Sequence, residues 1–231
     1  IQEAKKHLQR CESLEDSWGV ELLLRSVLAS KSGQFQEGRD WLLVEKFFWC
    51  RQAPTSDTLR HEAVSLLDGE PEMEQEELDE AFSRLIEAYP NHHLLYWLRG
   101  RHIIRGTQDM EMAHREFKTA FNLCPDLRVT DWYSITSQWL GDQEASAQCG
   151  NRLSVLADER LGVNLWDGVH IARAYTRHAD NSEMETLQCA VELAVRRYGD
   201  GGAIGSAKRL IQYRQGEEII IPAFEHSGNP E

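Results

Sequence analysis

The sequence has fewer basic than acidic residues, and this imbalance limits what the protein is expected to bind. Among its 231 residues, 25 are lysine or arginine and 38 are aspartate or glutamate, which gives a formal net charge of −13. General nucleic-acid binding needs clustered cations that neutralise phosphates. We therefore expect no nucleic-acid partner, and the negative charge is compatible with a basic protein partner.

The sequence also lacks the short motifs that bind metals and cofactors or carry catalysis. Its five cysteines form no C-x-x-C pair, and neither H-x-x-x-H nor H-E-x-x-H occurs. The glycine-rich stretch "RRYGDGGAIGSAKRLI" (196–211) fits neither a phosphate loop nor a dinucleotide loop, so Gly199 is predicted to be a helix C-cap. No G-x-S-x-G nucleophile elbow occurs. We expect no metal, no cofactor and no catalytic residues.

Long apolar runs are missing too. No run approaches the roughly 18 residues that a membrane-spanning helix needs, so we expect no membrane partner. The odd number and wide spacing of the cysteines argue against a disulfide framework and favour reduced, buried thiols. Together these features predict a cytoplasmic protein.

Alternating, strand-like runs are nearly absent, and apolar residues instead recur at spacings of three and four. Such stripes are typical of helices that pack one face on a core. The β-branched cluster "EEIIIPAF" (217–224) contains a proline and is predicted to be a docking tail. The predicted helix stripes are Leu78–Phe82–Leu85–Tyr89, Ala113–Phe117–Ala120–Cys124, Ala145–Cys149–Leu153–Leu156 and Leu187–Ala190–Ala194–Tyr198.

A pattern of aromatic, small and proline residues repeats along the chain. Pro90 and Pro125 are 35 residues apart, and Phe82 and Phe117 each lie eight residues before one of them. The stretch "SGQFQEGRDWLL" (32–43) has a related order, in which a glycine turn precedes an aromatic, an acidic, a small and a large apolar residue. Small residues let two helices approach closely, and an aromatic ring fills the remaining gap.

This pattern resembles the tetratricopeptide repeat family, whose unit is a helix–turn–helix of about 34 residues. The residues that match are Tyr96 and Gly100 on the first helix, Ala113, Phe117 and Ala120 on the second, and the closing Pro125. The sequence departs from the family at Arg99, where an apolar residue is usual, and at Gly38, where alanine is preferred.

The resemblance implies an all-α fold, a right-handed α-solenoid of stacked antiparallel helix pairs in a single domain over residues 1–231. We expect about five to six hairpins, a C-terminal capping helix and a tail. The best repeats are predicted at 19–50, 58–92 and 93–126, degenerate ones at 130–158 and 165–198, the capping helix at 203–214 and the tail at 215–231.

In stacked hairpins of this family, the first helices line a concave groove, which implies where a partner binds. Trp97 and Arg101 would point there, and an aromatic beside a bidentate cation suits a peptide carboxylate. The alternative is a solvated helix face whose arginines pair with acids such as Glu111 and Glu116. The predicted partner-binding residues are Leu23, Val27, Trp97, Arg101, Ile104 and Arg105.

Three other segments have two interpretations each. His92 and His93 are expected at a cap or on the surface of a helix with Asn91 as its N-cap, because adjacent helix residues point about 100° apart. The acidic run "DGEPEMEQEELDE" (68–80) predicts either a solvated connector that leads into a helix or a docking strip for a basic partner. "WLLVEKFFWC" (41–50) predicts either a buried helix or a dimer contact.

Our first functional hypothesis is a protein–protein interaction module: an adaptor, scaffold or chaperone that binds a peptide or protein in its groove. One alternative is an immunity-type inhibitor that neutralises a basic toxin or enzyme. Another is an enzyme subunit on a helical scaffold, which a deep pocket with several titratable groups of shifted pKa would favour. The last hypothesis is a structural homo-oligomer whose subunits contact each other through residues 41–50.

Overall fold

The chain is helical throughout the part that can be described. Every regular element there is an α-helix and none is a β-strand, which confirms the all-α prediction for these residues. No helix among them is long and apolar enough to cross a membrane. The computed structural model describes residues 18–49, 57–159, 165–178, 184–199 and 201–215.

The helices fall into two compact units, Ile1–Pro125 and Asp126–Glu231. In the first unit the described helices are α1 (Trp18–Lys31), α2 (Phe35–Trp49), α3 (Asp57–Leu66), α4 (Gln75–Ala88), α5 (His93–Gly106) and α6 (Met110–Leu123). In the second they are α7 (Leu127–Leu140), α8 (Gln143–Glu159), α9 (Leu165–His178), α10 (Met184–Tyr198) and α11 (Gly202–Arg214). The solenoid, its handedness and its repeat number stay predictions.

Neighbouring helices pair within each unit, with one departure from the predicted hairpins. The pairs α1–α2 and α5–α6 pack closely in the first unit, and α7–α8 and α9–α10 do so in the second. In contrast, α3 packs mainly on α1, while α4 packs on α2 and α5. Residues 67–74 carry the chain between α3 and α4, so the predicted repeat at 58–92 does not close into a tight hairpin.

The pair α5–α6 packs as its small and aromatic residues predict. Ala113, Phe117 and Ala120 are fully buried, and Gly100 lies against the Phe117 ring. A Cβ atom on Gly100 would stand 2.8 Å from a ring carbon of Phe117, closer than side chains pack. Glycine is therefore the residue that permits this helix approach.

The apolar segment at 41–50 forms the interior of α2. Trp41, Leu42, Leu43 and Val44 are fully buried in the single chain. The buried-helix interpretation is therefore confirmed for these residues, whereas Cys50 lies outside the described residues. A dimer contact is not needed to cover this apolar surface.

The second unit has its own apolar core and a closing helix. Tyr175, Ile171 and Leu153 belong to one cluster with residues of α10 and α11. Gly199 ends α10 with a φ of 84°, the left-handed conformation expected at its predicted C-cap position. The predicted capping helix corresponds to α11, which packs on α9 and α10. Apart from Gln215, the predicted tail lies outside the described residues.

Helix α7 also buries polar side chains. The Asp131 carboxylate is fully buried, with one oxygen 2.6 Å from His170 Nδ1 and the other paired with Arg177. Burial lowers the pKa of Arg177 to about 10. Ser137 donates a hydrogen bond to the Tyr133 carbonyl one turn back, at 2.8 Å. Charge pairing and bonds to the helix backbone therefore satisfy part of this polar interior, whereas the buried Thr130 hydroxyl has no hydrogen-bond partner among the described residues.

Candidate functional site

Three of the six predicted partner-binding residues lie in the interior of the first unit. Leu23 and Val27 belong to a buried cluster with Ala63 of α3. Trp97 is 1% exposed, and its ring meets the Trp18 ring edge-on, with 5.1 Å between centres. The prediction that these side chains line an open groove is therefore wrong. Helical spacing shows that residues lie on one face of a helix, but it does not show whether another helix covers that face.

The other three residues run from the interior to the surface. Arg101 is 8% exposed, and its guanidinium carbon lies 4.6 Å from the centre of the Trp97 ring. Ile104 is half-buried and Arg105 is exposed. Partner binding by the six residues stays a prediction, and Arg105 is the side chain among them that an incoming molecule reaches most easily.

Arg105 borders a small depression on the first unit, which we name the Arg105 depression. Its guanidinium carbon lies 5.1 Å from the centre of the Phe47 ring. Met73 stands at the rim with 38% of its surface exposed. The depression has a volume of about 180 Å³ and is lined by Phe47, Met73, Glu74, Gln75, Leu78, His102, Arg105 and Gly106.

A second depression, which we name the Phe35 depression, lies at the start of α2. Phe35 is 57% exposed, a large fraction for an aromatic ring. The volume is about 310 Å³, and the lining residues are Phe35, Gln36, Arg39, Leu66, Leu67, Asp68, Gly69 and Pro71. Both depressions therefore include residues of the segment that joins α3 to α4.

Residues 68–76, which comprise most of this segment and the first two residues of α4, are here named the acidic connector. Lys46 Nζ donates a hydrogen bond to the Pro71 carbonyl at 3.0 Å and fixes the connector to α2. Glu70 lies 3.6 Å from both Lys46 and Arg60. The remaining acids, which are exposed and have no cationic partner among the described residues, are Asp68, Glu72, Glu74 and Glu76. The connector thus leaves four negative charges on the surface beside two depressions whose linings mix apolar and polar side chains.

A larger pocket, the His92 pocket, lies where α1, the end of α4 and the start of α5 meet. Its volume is about 540 Å³, within the range that holds a small molecule. Its lining residues are Trp18, Glu21, Arg25, Ala88, Tyr89, Pro90, Asn91, His92 and His93. None of these lining residues is a serine, threonine or cysteine, the residues that most often attack a substrate in covalent mechanisms. The one hydroxyl in the lining belongs to Tyr89.

Glu21 lies at the centre of the charges in this pocket. Its side chain is 5% exposed, and Oε1 accepts hydrogen bonds from Arg25 Nε at 2.9 Å and His92 Nε2 at 2.8 Å. Burial raises the pKa of Glu21, but the hydrogen bonds and charges of His92 and Arg25 outweigh burial and hold it below its usual value. Glu21 is therefore an ionised carboxylate inside the protein.

The two histidines lie in the cap region of a helix, as the sequence predicts, but with a different register and with more burial than a surface position. Helix α5 begins at His93 with His92 as its N-cap, one residue later than predicted, because the Tyr89 carbonyl closes a turn onto His92 N. The surface position is wrong, since the His92 side chain is 10% exposed. The two rings are stacked with 6.2 Å between centres, which is allowed because His92 precedes the helix. Burial, aided by the charge of His92, lowers the pKa of His93 to about 4.

Aromatic rings support the charged groups. The Arg25 guanidinium carbon lies 5.1 Å from the centre of the Trp41 ring and 5.6 Å from that of Tyr89. The Tyr89 hydroxyl donates to Glu37, and burial together with this acceptor raises the pKa of Tyr89 to about 12. The pocket thus gathers several titratable groups of shifted pKa, one part of the observation named above as favouring an enzyme subunit.

Sequence reasoning missed this pocket because its parts come from distant segments. Glu21 and His92 are 71 residues apart, and no local spacing connects them. One signal was available: Glu21 and Arg25 form the charged pair of the otherwise apolar stretch "WGVELLLRSVLAS" (18–30). Opposite charges one turn apart in such a stretch indicate a buried pair.

Other proteins do not help to assign either surface. A scan against protein-family models finds no match for the chain, and searches of curated proteins and of solved structures find none either.

Proposed function

We propose that the protein is a protein–protein interaction module and that it binds a basic segment of a partner protein across the acidic connector. The observation that carries this proposal is the exposure of Phe35 and Met73 beside four acids without cationic partners. Large exposed apolar side chains rimmed by charge are typical of interaction sites. The function therefore agrees with the interaction-module hypothesis, but the binding surface moves from the groove to the connector.

Charge supports a basic partner. Asp68, Glu72, Glu74 and Glu76 all lie within nine consecutive residues and are all exposed. The whole chain adds to this field with its net charge of −13. Such a surface attracts lysine and arginine side chains and speeds their encounter with the protein.

The two depressions beside the connector favour a partner segment that also carries an apolar side chain. A leucine or phenylalanine that enters the Phe35 depression or the Arg105 depression would contact the apolar side chains of a lining that also contains charged and amide groups. Full burial of such a side chain contributes about 1.5–3 kcal/mol. Arg105 would then pair with an acidic group that follows the anchor, the role proposed for an arginine in the sequence analysis.

Adaptor, scaffold and chaperone functions all use such a surface, and so does the immunity-type inhibitor. The inhibitor would meet a folded basic enzyme, whereas the other functions require a short extended segment. We favour the segment, because each depression has room for about one or two side chains.

A binding assay with designed peptides tests this function. The probe is a fluorescent peptide rich in lysine and arginine with one leucine and one phenylalanine, compared with a peptide in which glutamate replaces each cation. We expect the basic peptide to bind and the acidic one not to bind. Glu72→Gln/Glu74→Gln/Glu76→Gln should weaken binding about tenfold, which is about 1.4 kcal/mol.

The matched control is Glu87→Gln/Glu111→Gln/Glu144→Gln, which removes the same charge from exposed positions elsewhere. It should change the affinity less than about twofold, since distant surface charges are screened. Equal loss in both triple variants would show general charge attraction without a site. Full binding by the connector variant would refute the proposal, and so would tight binding of the acidic peptide.

A further inference from the structure

The two depressions beside the acidic connector are both lined in part by α2, and this helix relates their positions to each other. We propose that the bound segment is extended and carries two apolar side chains four residues apart, one for each depression, with lysine or arginine between them. Such a segment is a special case of the basic partner proposed above, so this proposal rests on that function. Helix geometry, the course of the connector and the distribution of charge support it.

Helix α2 sets the distance between the depressions. At the start of the helix, Phe35, Gln36 and Arg39 line the Phe35 depression. Near its end, Phe47 lines the Arg105 depression. Phe47 follows Arg39 by eight residues and Phe35 by twelve, so at 1.5 Å per residue the depressions are about 12–18 Å apart.

The residues of α2 that line the two depressions lie on one side of the helix. Gln36 and Phe47 are eleven residues apart, which is about three turns of 3.6 residues. Lys46 follows Arg39 by about two turns and donates its hydrogen bond to the Pro71 carbonyl of the connector. The connector is therefore fixed to the side of α2 that carries both depressions.

This arrangement selects a spacing in the bound segment. In an extended chain, side chains two, four or six residues apart point to the same side. At about 3.3 Å per residue, these separations correspond to about 7, 13 and 20 Å. A separation of four residues is the one that falls within the distance between the depressions.

The connector itself passes from one depression to the other. Pro71 lines the Phe35 depression, and Met73 lines the Arg105 depression. Glu72 stands between them in the chain and is exposed. A segment that enters both depressions therefore passes close to Glu72.

Charge distinguishes the depressions from the surface between them. Each lining contains one arginine and one acid, Arg39 with Asp68 and Arg105 with Glu74. Glu72 belongs to neither lining and has no cationic partner among the described residues. We therefore expect a lysine or arginine of the partner opposite Glu72, between the two apolar side chains.

A series of fluorescent peptides tests the spacing with the full chain. All peptides contain the same numbers of lysine, arginine, leucine and phenylalanine residues, and leucine and phenylalanine are one, four, seven or eleven residues apart. Charge attraction is then equal across the series. The peptide with a separation of four should bind about tenfold more tightly than the others, because it alone brings an apolar side chain to each depression.

Alanine substitutions link the spacing to the two depressions. Phe35→Ala and Met73→Ala each shorten an exposed side chain, so the fold should be preserved. In either variant, the peptide with a separation of four should bind about as weakly as the peptide with a separation of one. Met112→Ala changes an exposed methionine of α6 and is the matched control, which should keep the wild-type preference.

Three results would overturn the proposal and leave the binding of basic segments by the connector intact. The peptides could bind equally well at all separations, or both alanine variants could keep the preference for four. The separation of eleven could bind most tightly, which would indicate a helical segment, since eleven residues make about three turns. If none of the basic peptides binds, the proposed function fails, and the spacing proposal fails with it.

Discussion

The helix pairs α5–α6 and α7–α8 are both antiparallel neighbours along the chain, but they bury different kinds of side chain. In α5–α6, the fully buried Phe117 ring packs against Gly100, which has no side chain, so the contact depends on shape. In α7–α8, Tyr133 and Cys149 provide apolar contact, while the same helix buries the charged Asp131. The first pair is therefore sensitive to volume and the second to a missing polar partner.

This difference explains why the two pairs look so unequal in sequence. Shape packing leaves a local pattern, since Gly100 and Phe117 are only 17 residues apart. The Asp131 network depends on His170, which lies 39 residues away in α9. The pair that the sequence ranks as degenerate is thus a helix pair in which one buried charged side chain finds its partners on another helix.

Removal of the buried charge should produce the largest effect. Asp131→Ala leaves Arg177 buried without its anion, and we expect the free energy of unfolding to fall by about 3–5 kcal/mol. Urea unfolding measures this change. Asp131→Ala/Arg177→Met removes both charges and should recover a large part of the loss. A single variant within about 1 kcal/mol of wild type would show that shape packing dominates in α7–α8 as well.

A fall in pH should cause the second largest loss of stability, through His93 in the first unit. The pKa of His93 is about 4 in the folded state, below its ordinary value of 6.5. As the pH falls from 6.5 to 4, the unfolded chain binds a proton that the folded chain does not, so stability declines by as much as ~3 kcal/mol. Urea unfolding at several pH values measures the slope. His93→Phe should flatten it, and a slope unchanged in that variant would assign the acid sensitivity to another group.

An added methyl group tests the shape-packed pair. Gly100→Ala should cost about 1–3 kcal/mol, because the new Cβ would stand 2.8 Å from the Phe117 ring. Gly106→Ala is the control in the same helix, since its Cβ would meet the movable end of the Gln75 side chain at 2.7 Å. Thermal unfolding should show little loss there, or a gain from better helix propensity. A stable Gly100→Ala protein would contradict the predicted repeat register.

Loss of a helix N-cap should have the smallest effect on stability, and the effect should be similar in α5–α6 and α7–α8. Asp109 Oδ1 accepts a hydrogen bond from Met112 N at the start of α6, and Asp142 Oδ1 accepts one from Ala145 N at the start of α8. Replacement of either aspartate by alanine should cost about 1 kcal/mol, since helix capping does not depend on how the helices pack. Clearly unequal losses in thermal unfolding would mean that one cap also supports its helix pair.

Periodicity in the sequence predicts the helices well, and their burial confirms the stripes. Leu78, Phe82 and Leu85 are buried on one face of α4, as their spacing predicts. The same holds for Ala145, Cys149 and further members of the α8 stripe. Spacing along one helix is a local property, so a single sequence contains it.

The candidate sites are harder to predict because they depend on contacts between helices. Trp97 has the sequence environment of a surface anchor and becomes interior because Trp18 covers it. The sequence suggests that His92 is exposed, whereas in the structure its Nε2 forms a hydrogen bond with Glu21 of another helix. The acidic connector is the exception, since its charge density is visible in the sequence and its exposure follows from its position between helices.

Amide chemical-shift mapping tests most directly whether the acidic connector binds a basic segment. The labelled full chain is titrated with the lysine- and arginine-rich peptide described above. We predict that the largest shifts fall on residues 68–76 and on Phe35, and that the peptide with glutamate produces none of them. Largest shifts at the His92 pocket or in the second unit, with residues 68–76 unchanged, would contradict the account.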